Sequence, residues 1–255
     1  MKDLFAIDGR LALVTGSTRG LGNALARGLA ERGAHVILHG RQQSAVEEAA
    51  QKLASDTGAR VEAVAFDVTD AADVKAAIDP MIARLGVPDI LVNNAGLQKR
   101  APFNDFGSAD WDAVIATNLS SAFYVARSLS PAMSERGSGK IVNIGSVQSK
   151  LARETIVPYA ASKGGVALLT QGMAADLARH GIQVNCLSPG YFQTDMNQAL
   201  WQDADFNAWI EKRTPAARWG QVEELVGTLV YLCSGASNFV SGQNIFVDGG
   251  MTSVV

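Results

Sequence analysis

The sequence predicts a single-domain α/β fold in which helices cover both faces of a parallel sheet. Short apolar segments alternate with helical patterns along the 255 residues, a glycine-rich turn follows the first segment, and polar residues follow several others. Alternating strands and helices are typical of parallel sheets covered by helices. Ligands of such sheets bind beyond the carboxyl ends of the strands, so the polar residues predict a site along one edge.

The composition is that of a globular chain with a large core. Hydrophobic residues make up 47% of the chain and charged residues 18%, and the formal net charge is -3. One domain over residues 1–255 is therefore the expected organisation. The weak negative charge favours neither nucleic acid nor an anionic membrane as a partner, and a small-molecule substrate is expected instead.

The first residues and the cysteines predict a cytoplasmic protein. Asp3 and Asp8 lie in an N-terminal segment without a long apolar run, so we expect no signal peptide. No stretch approaches 18 consecutive apolar residues, which predicts no spanning helix. Cys186 and Cys233 are the two cysteines, and neither lies beside clustered histidines. A disulfide scaffold and a metal site are both unexpected, and a reducing compartment fits.

A glycine-rich turn separates the first predicted strand, Leu11–Val14, from a helical pattern that runs through Glu31. Glycines at this point let the backbone approach a pyrophosphate, and the helix N-terminus offers free N–H groups to it. The candidate binding residues of the turn are Gly16, Ser17, Thr18, Arg19, Gly20, Leu21 and Gly22. An ordinary tight turn is the alternative for this motif alone.

The second predicted strand, His35–His39, ends in Gly40 and Arg41 rather than in a carboxylate. A carboxylate there would accept the ribose hydroxyls of NAD, whereas a guanidinium suits a 2′-phosphate. Arg41 together with Arg19 therefore predicts NADP as the cofactor, with NAD as the weaker alternative. Two solvated loop arginines are the competing interpretation.

Two further strand ends carry candidate cofactor contacts. A helix over Ser44–Thr57 precedes the third predicted strand, Val61–Phe66, after which Asp67 can bind an adenine amino group or cap the helix that ends near Leu85. The fourth predicted strand, Ile90–Val92, is followed by small residues and amides that would let a ribose lie against the backbone. These residues are Asn93, Asn94, Ala95 and Gly96.

Asn118 lies in the middle of a predicted apolar helix over Trp111–Met133. An asparagine within a helix is unfavourable without a partner. It can hold a water or a backbone group near Lys163 and so link the lysine to a proton path. A packing amide that neighbouring backbone satisfies explains the position equally well.

Tyr159 and Lys163 lie four residues apart at a predicted helix start, because Pro158 suits a first turn and an alanine-rich stretch follows. Residues four apart share a helix face, so the phenol and the ammonium point into one space. A cation about 4 Å away would lower the phenol pKa by about three units and make it a working acid and base. Ser146, just after the strand Lys140–Ile144, can bind the same substrate oxygen. A surface pair is the alternative for these two residues alone.

The helix that starts at Pro158 is apolar on nearly all sides through Leu177. A helix of this kind must be covered all round. We expect partner subunits to cover it, and a deeply internal helix is the alternative.

The last third of the chain predicts the nicotinamide side of the site. After the strand Ile182–Leu187, Thr194 can bind a nicotinamide carboxamide and Phe192 can wall off its ring. A segment rich in tryptophan and phenylalanine, at about residues 191–215, is a candidate substrate lid or a surface helix. A helix over Val222–Ser234 and a strand over Asn244–Val247 complete the pattern.

The motifs together resemble the short-chain dehydrogenase/reductase family. They are Thr15-Gly16-x-x-x-Gly20-x-Gly22, Asn93-Asn94-Ala95-Gly96, Asn118, Ser146, Tyr159-x-x-x-Lys163 and Pro189-Gly190. The resemblance implies a seven-stranded Rossmann sheet, a nicotinamide cofactor, catalysis by Asn118, Ser146, Tyr159 and Lys163, and a homotetramer. It also implies that Val68, Pro189 and Gly190 contact the cofactor, together with Tyr159 and Lys163.

Further stretches resemble family members that act on sugar acids such as D-gluconate and 5-keto-D-gluconate. They include Gly96-Leu97-Gln98-Lys99-Arg100 and Val147-Gln148-Ser149. Those members usually have an acid where this chain has Lys150. Arg100, Lys150 and Arg153 can form a cationic wall for a carboxylate, with Gln148 and the catalytic Ser146 and Tyr159 on the hydroxyls; solvated rim charges are the alternative. A 3-oxoacyl-carrier-protein reductase and a non-catalytic NADP-binding scaffold are the alternative functions.

Overall fold

Seven parallel strands form one sheet in the computed structural model, which describes residues 3–194 and 198–255. The strands are β1 (Leu11–Val14), β2 (His35–Gly40), β3 (Val61–Ala65), β4 (Ile90–Asn93), β5 (Gly139–Ile144), β6 (Ile182–Pro189) and β7 (Asn244–Val247). Their order across the sheet is β3-β2-β1-β4-β5-β6-β7. The predicted seven-stranded α/β fold is therefore confirmed.

Helices lie between the strands along the chain. They are α1 (Gly20–Ala30), α2 (Gln43–Thr57), α3 (Ala71–Leu85), α4 (Ser108–Ile115), α5 (Ser121–Arg136), α6 (Val157–Leu177), α7 (Gln198–Trp201), α8 (Ala204–Arg213) and α9 (Glu223–Cys233). Asp70 caps α3, because its side chain accepts hydrogen bonds from the N–H groups of Ala72 and Asp73.

Two apolar clusters cover the two faces of the sheet. One cluster joins the sheet to α1, α2 and α9 through side chains such as Leu25, Leu53 and Leu229. The other joins it to α3, α5 and α6 through Ile78, Leu129 and others. Every residue of β1 is buried, which is expected of a parallel strand with helices on both sides.

The strand order changes direction at β1, which pairs with β2 on one side and with β4 on the other. The connection after β1 and the connection after β4 therefore lead to opposite parts of the sheet. A crevice opens between them at the carboxyl ends of the strands, and such a crevice is the usual ligand position in open parallel sheets. The fold thus places the glycine-rich turn and the Asn93–Gly96 segment side by side.

The predicted continuous helix over Trp111–Met133 is wrong in one respect. The structure divides it into α4, a π-helical turn over Ala116–Ser120, and α5. A π turn inserts one extra residue into the hydrogen-bond ladder and often marks a functional position. Its centre is Asn118, the residue for which helix propensity alone gave no explanation.

Among its described residues, the candidate lid at about residues 191–215 contains two helices, α7 and α8, and no strand of the sheet. Asp203 separates α7 from α8 and caps α8 by accepting a hydrogen bond of 2.9 Å from the N–H of Phe206. A third apolar cluster holds these helices, with Ile210 and Trp219 at its centre. Residues 195–197 of the candidate lid lie outside the described residues.

Neither a membrane-spanning helix nor a metal site is found among residues 3–194 and 198–255. The helices there are too short or too polar to span a bilayer. Clusters of three or more metal-binding side chains are equally absent from that part of the chain. Both cysteines are buried free thiols.

Candidate active site

The glycines of the turn after β1 are required by its shape. Gly16 has a φ of +61° and Gly20 a φ of +58°, a conformation that side chains with a Cβ rarely adopt. A Cβ on Gly22 would collide with the side-chain amide of Asn94 and with the carbonyl of Gly16. The turn is therefore a cradle of backbone groups in which Gly16 and Gly22 leave no space for a Cβ and Gly20 is required by its backbone conformation, as suits the binding of a pyrophosphate.

Asn94 connects this cradle to the end of β4 by hydrogen bonds. Its side-chain amide donates hydrogen bonds of 3.0 Å to the carbonyls of Thr15 and Gly16, and its backbone N–H donates to Thr15 Oγ1. The N–H of Ala95 donates to the same hydroxyl. Asn94 and Ala95 thus hold the turn in place, whereas the sequence suggested ribose contacts; Gly96 lies beside the side chain of Asn118.

The end of β2 carries a glycine, followed by an arginine rather than an acid. A Cβ on Gly40 would lie 2.8 Å from Thr18 Cγ2, so the turn packs directly against this glycine. Arg19 and Arg41 are exposed on either side of it. Because no carboxylate ends the strand, this place suits a 2′-phosphate between two guanidinium groups better than a bare ribose diol.

Asp67 follows β3 and is close enough to Arg41 for the arginine to help lower its carboxyl pKa, after the larger effect of hydrogen bonds from Thr69. Asp67 Oδ1 accepts from the N–H and from the hydroxyl of Thr69. The residue therefore forms the turn before α3, and its proposed adenine contact stays a prediction. Val68 is buried in the core, and its predicted cofactor contact stays a prediction.

Ser146 and Tyr159 meet at the carboxyl end of β5. Ser146 Oγ accepts a 3.2 Å hydrogen bond from the N–H of Gln148, which leaves its own proton free for another acceptor. The side chains of Ser146 and Tyr159 are hydrogen-bonded to each other. Tyr159 lies in the first turn of α6 and keeps a partly exposed face, so both hydroxyls can reach one substrate oxygen.

Lys163 lies under the phenol, one turn along α6. Its Nζ is 5.7 Å from the centroid of the Tyr159 ring and donates a 2.7 Å hydrogen bond to the carbonyl of Ile144. Burial lowers the pKa of Lys163 to about 8, so the amine is still charged at neutral pH. The structure thus brings the three predicted catalytic side chains together.

The prediction of a phenol pKa near neutrality is wrong for this geometry. Burial of the hydroxyl raises the pKa of Tyr159, and the hydrogen bond from Ser146 offsets only part of that effect. The Nζ of Lys163 is directed at a backbone carbonyl instead of the phenol oxygen. Tyr159 is therefore protonated at neutral pH, which is the form that can donate a proton to a ketone.

Asn118 binds the backbone of the segment after β4. Its Oδ1 accepts a 2.8 Å hydrogen bond from the N–H of Leu97, and its Nδ2 donates to the carbonyl of Leu97 and to Ser162 Oγ. Ser162 precedes Lys163 in α6 and is fully buried. Asn118 thus joins the π turn, the Leu97 segment and the catalytic helix, while its part in a proton path stays a prediction.

Two of the three predicted cations, Arg100 and Arg153, lie near each other. Burial and the neighbouring charge of Arg153 lower the pKa of Arg100, so the two guanidinium groups lie near each other. The guanidinium of Arg153 lies 5.3 Å from the centroid of the Phe206 ring in α8. Lys150 does not join them, because its Nζ donates to the backbone carbonyl of Thr252 near the C-terminus.

Buried polar atoms remain without partners at this cationic wall. Among the residues that the structure describes, Gln148 Oε1 and Arg153 Nε are buried and make no hydrogen bond. A buried polar group without a partner costs about 1–3 kcal/mol, so such atoms indicate a place for a polar ligand.

Tyr191 is a site residue that the sequence reasoning missed. Burial raises the pKa of Tyr191, and the charges of Arg153 and Arg100 and a hydrogen bond with Gln148 lower it in part. Tyr191 is also close enough to Tyr159 for the two phenols to interact electrostatically. It lies two residues after the end of β6, and other candidates also lie just after strand ends, so its position was the available signal.

The remaining nicotinamide-side candidates lie around the end of β6. Pro189 ends the strand, and a Cβ on Gly190 would lie 2.7 Å from the Cα of Asp248. Phe192 is buried, and its ring packs against Gly220. Thr194 is partly buried at the end of the first described segment. The contacts of these residues with a nicotinamide stay predictions.

The chain is similar along its whole length to proteins of known family. A sequence model for the family described as "Enoyl-(Acyl carrier protein) reductase" matches residues 16–252. Gluconate 5-dehydrogenase of Gluconobacter oxydans is 50% identical over 98% of this chain and 97% of its own length, and 5-keto-D-gluconate 5-reductase of Escherichia coli is 48% identical over both full lengths. A crystal structure of a gluconate 5-dehydrogenase from Burkholderia cenocepacia in complex with NADP and tartrate is 54% identical, with a TM-score of 0.96 over 99% of each chain.

Proposed function

The chain belongs to the short-chain dehydrogenase/reductase family, and from this we propose that it transfers hydride reversibly between NADP(H) and a sugar acid, with D-gluconate and 5-keto-D-gluconate as the substrate pair. The observation that carries the proposal is that Tyr191 interacts both with Tyr159 and with the charges of Arg100 and Arg153, which links the Tyr159, Ser146 and Lys163 group to two cations. Gln148, a further neighbour of Tyr191, keeps a buried Oε1 without a hydrogen-bond partner. The relatives' names and their identity over nearly the whole chain support the substrate.

NADP fits the cofactor crevice. The cradle of Gly16, Gly20 and Gly22 would hold the pyrophosphate, and Arg19 with Arg41 would bind the 2′-phosphate at a strand end that carries no acid. Bound NADPH supplies the hydride for the reduction of the substrate. The neighbouring structure described with NADP supports the same assignment.

Reduction of the ketone needs one proton at the oxygen while the carbon accepts the hydride. Tyr159 donates this proton, and the hydroxyl of Ser146 donates a hydrogen bond to the same oxygen as negative charge develops on it. The charged amine of Lys163 then stabilises the phenolate that remains. In the oxidation direction, the phenolate form of Tyr159, stabilised by Lys163, removes the proton from the alcohol.

Arg100 and Arg153 give the site its preference for an acid. The two charges repel each other and are partly desolvated, and a carboxylate between them removes both costs. Tartrate, named with the neighbouring crystal structure, is itself a hydroxy acid. Gln148 and Tyr191 lie beside the pair and offer polar groups to the hydroxyls of the substrate.

We further propose that the protein is a cytoplasmic homotetramer and that α7 and α8 close over the substrate. Large apolar side chains are exposed on α4, α5 and α6, among them Trp111, Phe123 and Leu168, and partner subunits would cover them. Two free thiols fit a reducing compartment.

A substrate panel with a matched variant tests the substrate assignment. NADPH oxidation is followed with 5-keto-D-gluconate, a neutral keto sugar of similar size, and an acetoacetyl thioester. We expect the wild type to prefer the acid, and Arg100→Gln to raise its KM by roughly 10–100-fold, as the loss of a charged hydrogen bond would. The same substitution leaves KM for the neutral sugar unchanged. A wild type that reduces no sugar acid, or an Arg100→Gln variant with unchanged KM, contradicts the assignment.

A further inference from the structure

We propose that His39 is a positioning residue for the cofactor: its neutral imidazole holds the glycine-rich turn in the shape that binds NADP, and protonation of the imidazole weakens cofactor binding. The inference rests on the proposed use of this turn for NADP. His39 is the next-to-last residue of β2, and the sequence reasoning took it only as the end of a strand.

The ring of His39 joins the turn after β1 to the end of β3. The N–H of Gly16 donates a 3.0 Å hydrogen bond to Nδ1 of His39, so Nδ1 carries no proton. The other nitrogen, Nε2, lies 3.0 Å from the carbonyl of Phe66 and donates to it. Both ring nitrogens are thus used, and their partners fix the tautomer with the proton on Nε2.

The backbone of His39 repeats the connection through Ser17. The N–H of Ser17 donates to the carbonyl of His39, and the N–H of His39 donates to Ser17 Oγ, each over 2.9 Å. That hydroxyl in turn donates to the carbonyl of Val14 over 2.7 Å. Both residues are buried, His39 at 2% exposure. The first half of the turn is therefore held from the β2 side almost wholly by this histidine.

The position of Gly16 leaves little freedom on its other side. A Cβ there would lie 2.9 Å from the Cα of Ala95, so the turn is confined between His39 and the segment after β4. Phe66, the second partner of the ring, directly precedes Asp67, the candidate adenine contact. One side chain thus sets the distance between the pyrophosphate cradle and the adenosine side of the crevice.

An imidazolium cannot perform this function. With a proton on both nitrogens the ring has no acceptor, and the N–H of Gly16 would face an N–H group. The turn must then move away from β2 or lose a buried hydrogen bond, and either change disturbs the cradle.

The charges around the ring leave it neutral under ordinary conditions. Burial lowers the pKa of His39 to about 4, while the carbonyl of Phe66 and the carboxylates of Asp67 after β3 and Asp73 in α3 raise it in part. The arginines of the neighbouring segments, Arg19 in the turn and Arg41 just after β2, are exposed. Cofactor binding should therefore be constant around neutral pH and fall as the pH approaches 4.

Two substitutions distinguish the effect of the hydrogen-bond acceptor of His39 from the effect of the size of its side chain. His39→Asn keeps an acceptor oxygen near the place of Nδ1 but does not titrate in acid, whereas His39→Leu keeps bulk without an acceptor. Calorimetric titration with NADP⁺ at pH 7 should show a roughly tenfold weaker Kd for His39→Leu and a nearly unchanged Kd for His39→Asn. The kcat of both variants at saturating NADPH should stay within about twofold of the wild type, because β1 and β4 separate the strand of His39 from β5, after which Ser146 lies.

The pH profile gives the readout that a purely structural role would not change. Between pH 6 and 3.5 the wild type should lose affinity for NADP⁺ more steeply than His39→Asn, by about fourfold at the acid end. The phosphate of the cofactor titrates in the same way with the wild type and with His39→Asn. The difference between their two pH profiles therefore reports the protonation of His39 alone. Nitrogen NMR of the wild type should show a neutral imidazole with the proton on Nε2, and this measurement needs no variant.

The outcomes distinguish this inference from the proposed function. Three results would each overturn the role of His39. The first is a His39→Leu variant that binds NADP⁺ as tightly as the wild type, and the second is a pair of coinciding pH profiles for wild type and His39→Asn. The third is an imidazole that is protonated at neutral pH. If His39→Leu does not fold, the profile of His39→Asn and the NMR tautomer decide. A wild type that binds no NADP⁺ would instead remove the proposed cofactor.

Discussion

The pKa values of Tyr159 and Lys163 are shifted in opposite directions, and burial causes both shifts. Burial raises the pKa of the phenol and lowers the pKa of the ammonium to about 8, since each group loses the water that stabilises its charged form. In the proposed mechanism the phenol is then the proton donor for reduction. The lysine is a buried cation without a carboxylate among its described partners. Catalytic groups of this kind commonly lower the stability of the protein that holds them.

Replacement of Lys163 by methionine should therefore raise stability while activity is lost. The native pKa of about 8 lies below the ordinary value of 10.5, so the penalty for burying the cation is fully present at pH 7 and decreases as the pH rises from 8 to 10.5. Removal of the charge should raise the free energy of unfolding by about 3 kcal/mol. The loss of the hydrogen bond to the carbonyl of Ile144 should lower it by about 2 kcal/mol. We expect a net gain on the order of 1 kcal/mol at pH 7 by denaturant unfolding, with kcat lowered about 10²–10⁴-fold.

Lys75→Met, at an exposed position on α3, is the matched control and should change neither stability nor kcat appreciably. A Lys163→Met protein clearly less stable than the wild type at pH 7 would show that the cation is a net stabilising group, against this account.

The sequence was sufficient to predict the site residues that have a partner close along the chain or that belong to a recognisable motif. The pair Tyr159 and Lys163 is local to one helix, and Ser146 follows a recognisable strand. Tyr191 and His39 escaped prediction because their partners, such as Arg153 for Tyr191 and Gly16 for His39, are brought together only by the order of the strands. The direction of the Lys163 side chain likewise depends on a backbone carbonyl of β5 that spacing cannot reveal.

Among the elements, α1 shows most directly how packing around the cradle supports binding. The helix begins at Gly20, and its third residue, Gly22, lies against both Asn94 and the carbonyl of Gly16. The element bounds followed largely from the periodicity of the sequence. The π turn at Ala116–Ser120 did not, because an extra residue in a helix is set by contacts such as those of Asn118 with Leu97.

A pair of glycine substitutions tests the packing of α1. Gly22→Ala places a Cβ against Asn94 and Gly16, and we expect a loss of about 1–3 kcal/mol in the free energy of unfolding together with at least about tenfold weaker NADP⁺ binding. Gly227→Ala in α9 meets no atom within 4 Å and should stabilise the protein by about 0.5–1 kcal/mol with unchanged binding. Equal effects of the two substitutions would mean that the close contact at Gly22 is unimportant.

For the whole molecule, the exposed apolar side chains on α4, α5 and α6 are the main feature that one chain leaves unexplained. Leu168 is 69% exposed in the middle of the helix that carries Tyr159 and Lys163. The sequence pattern predicted this, since α6 is apolar on nearly all sides. The strand order and the two-faced core were predictable for a similar reason, because alternating elements permit few topologies.

Leu168→Glu should therefore break up the oligomer. Light scattering after gel filtration should give about four times the chain mass of 26.8 kDa for the wild type and a smaller species for the variant. Ala76→Glu, an exposed change on α3, should leave the wild-type mass unchanged. A wild type that is monomeric at micromolar concentration would contradict the proposed tetramer.

The central claim is that the phenol of Tyr159 protonates the carbonyl of a sugar acid that accepts hydride from NADPH. Its most direct test is the rate of NADPH oxidation with 5-keto-D-gluconate by the wild type and by Tyr159→Phe, with NADPH affinity measured for both. The account predicts ready turnover by the wild type and a kcat at least about 10³-fold lower for Tyr159→Phe, with NADPH affinity within about twofold. Turnover by Tyr159→Phe at the wild-type rate would contradict it.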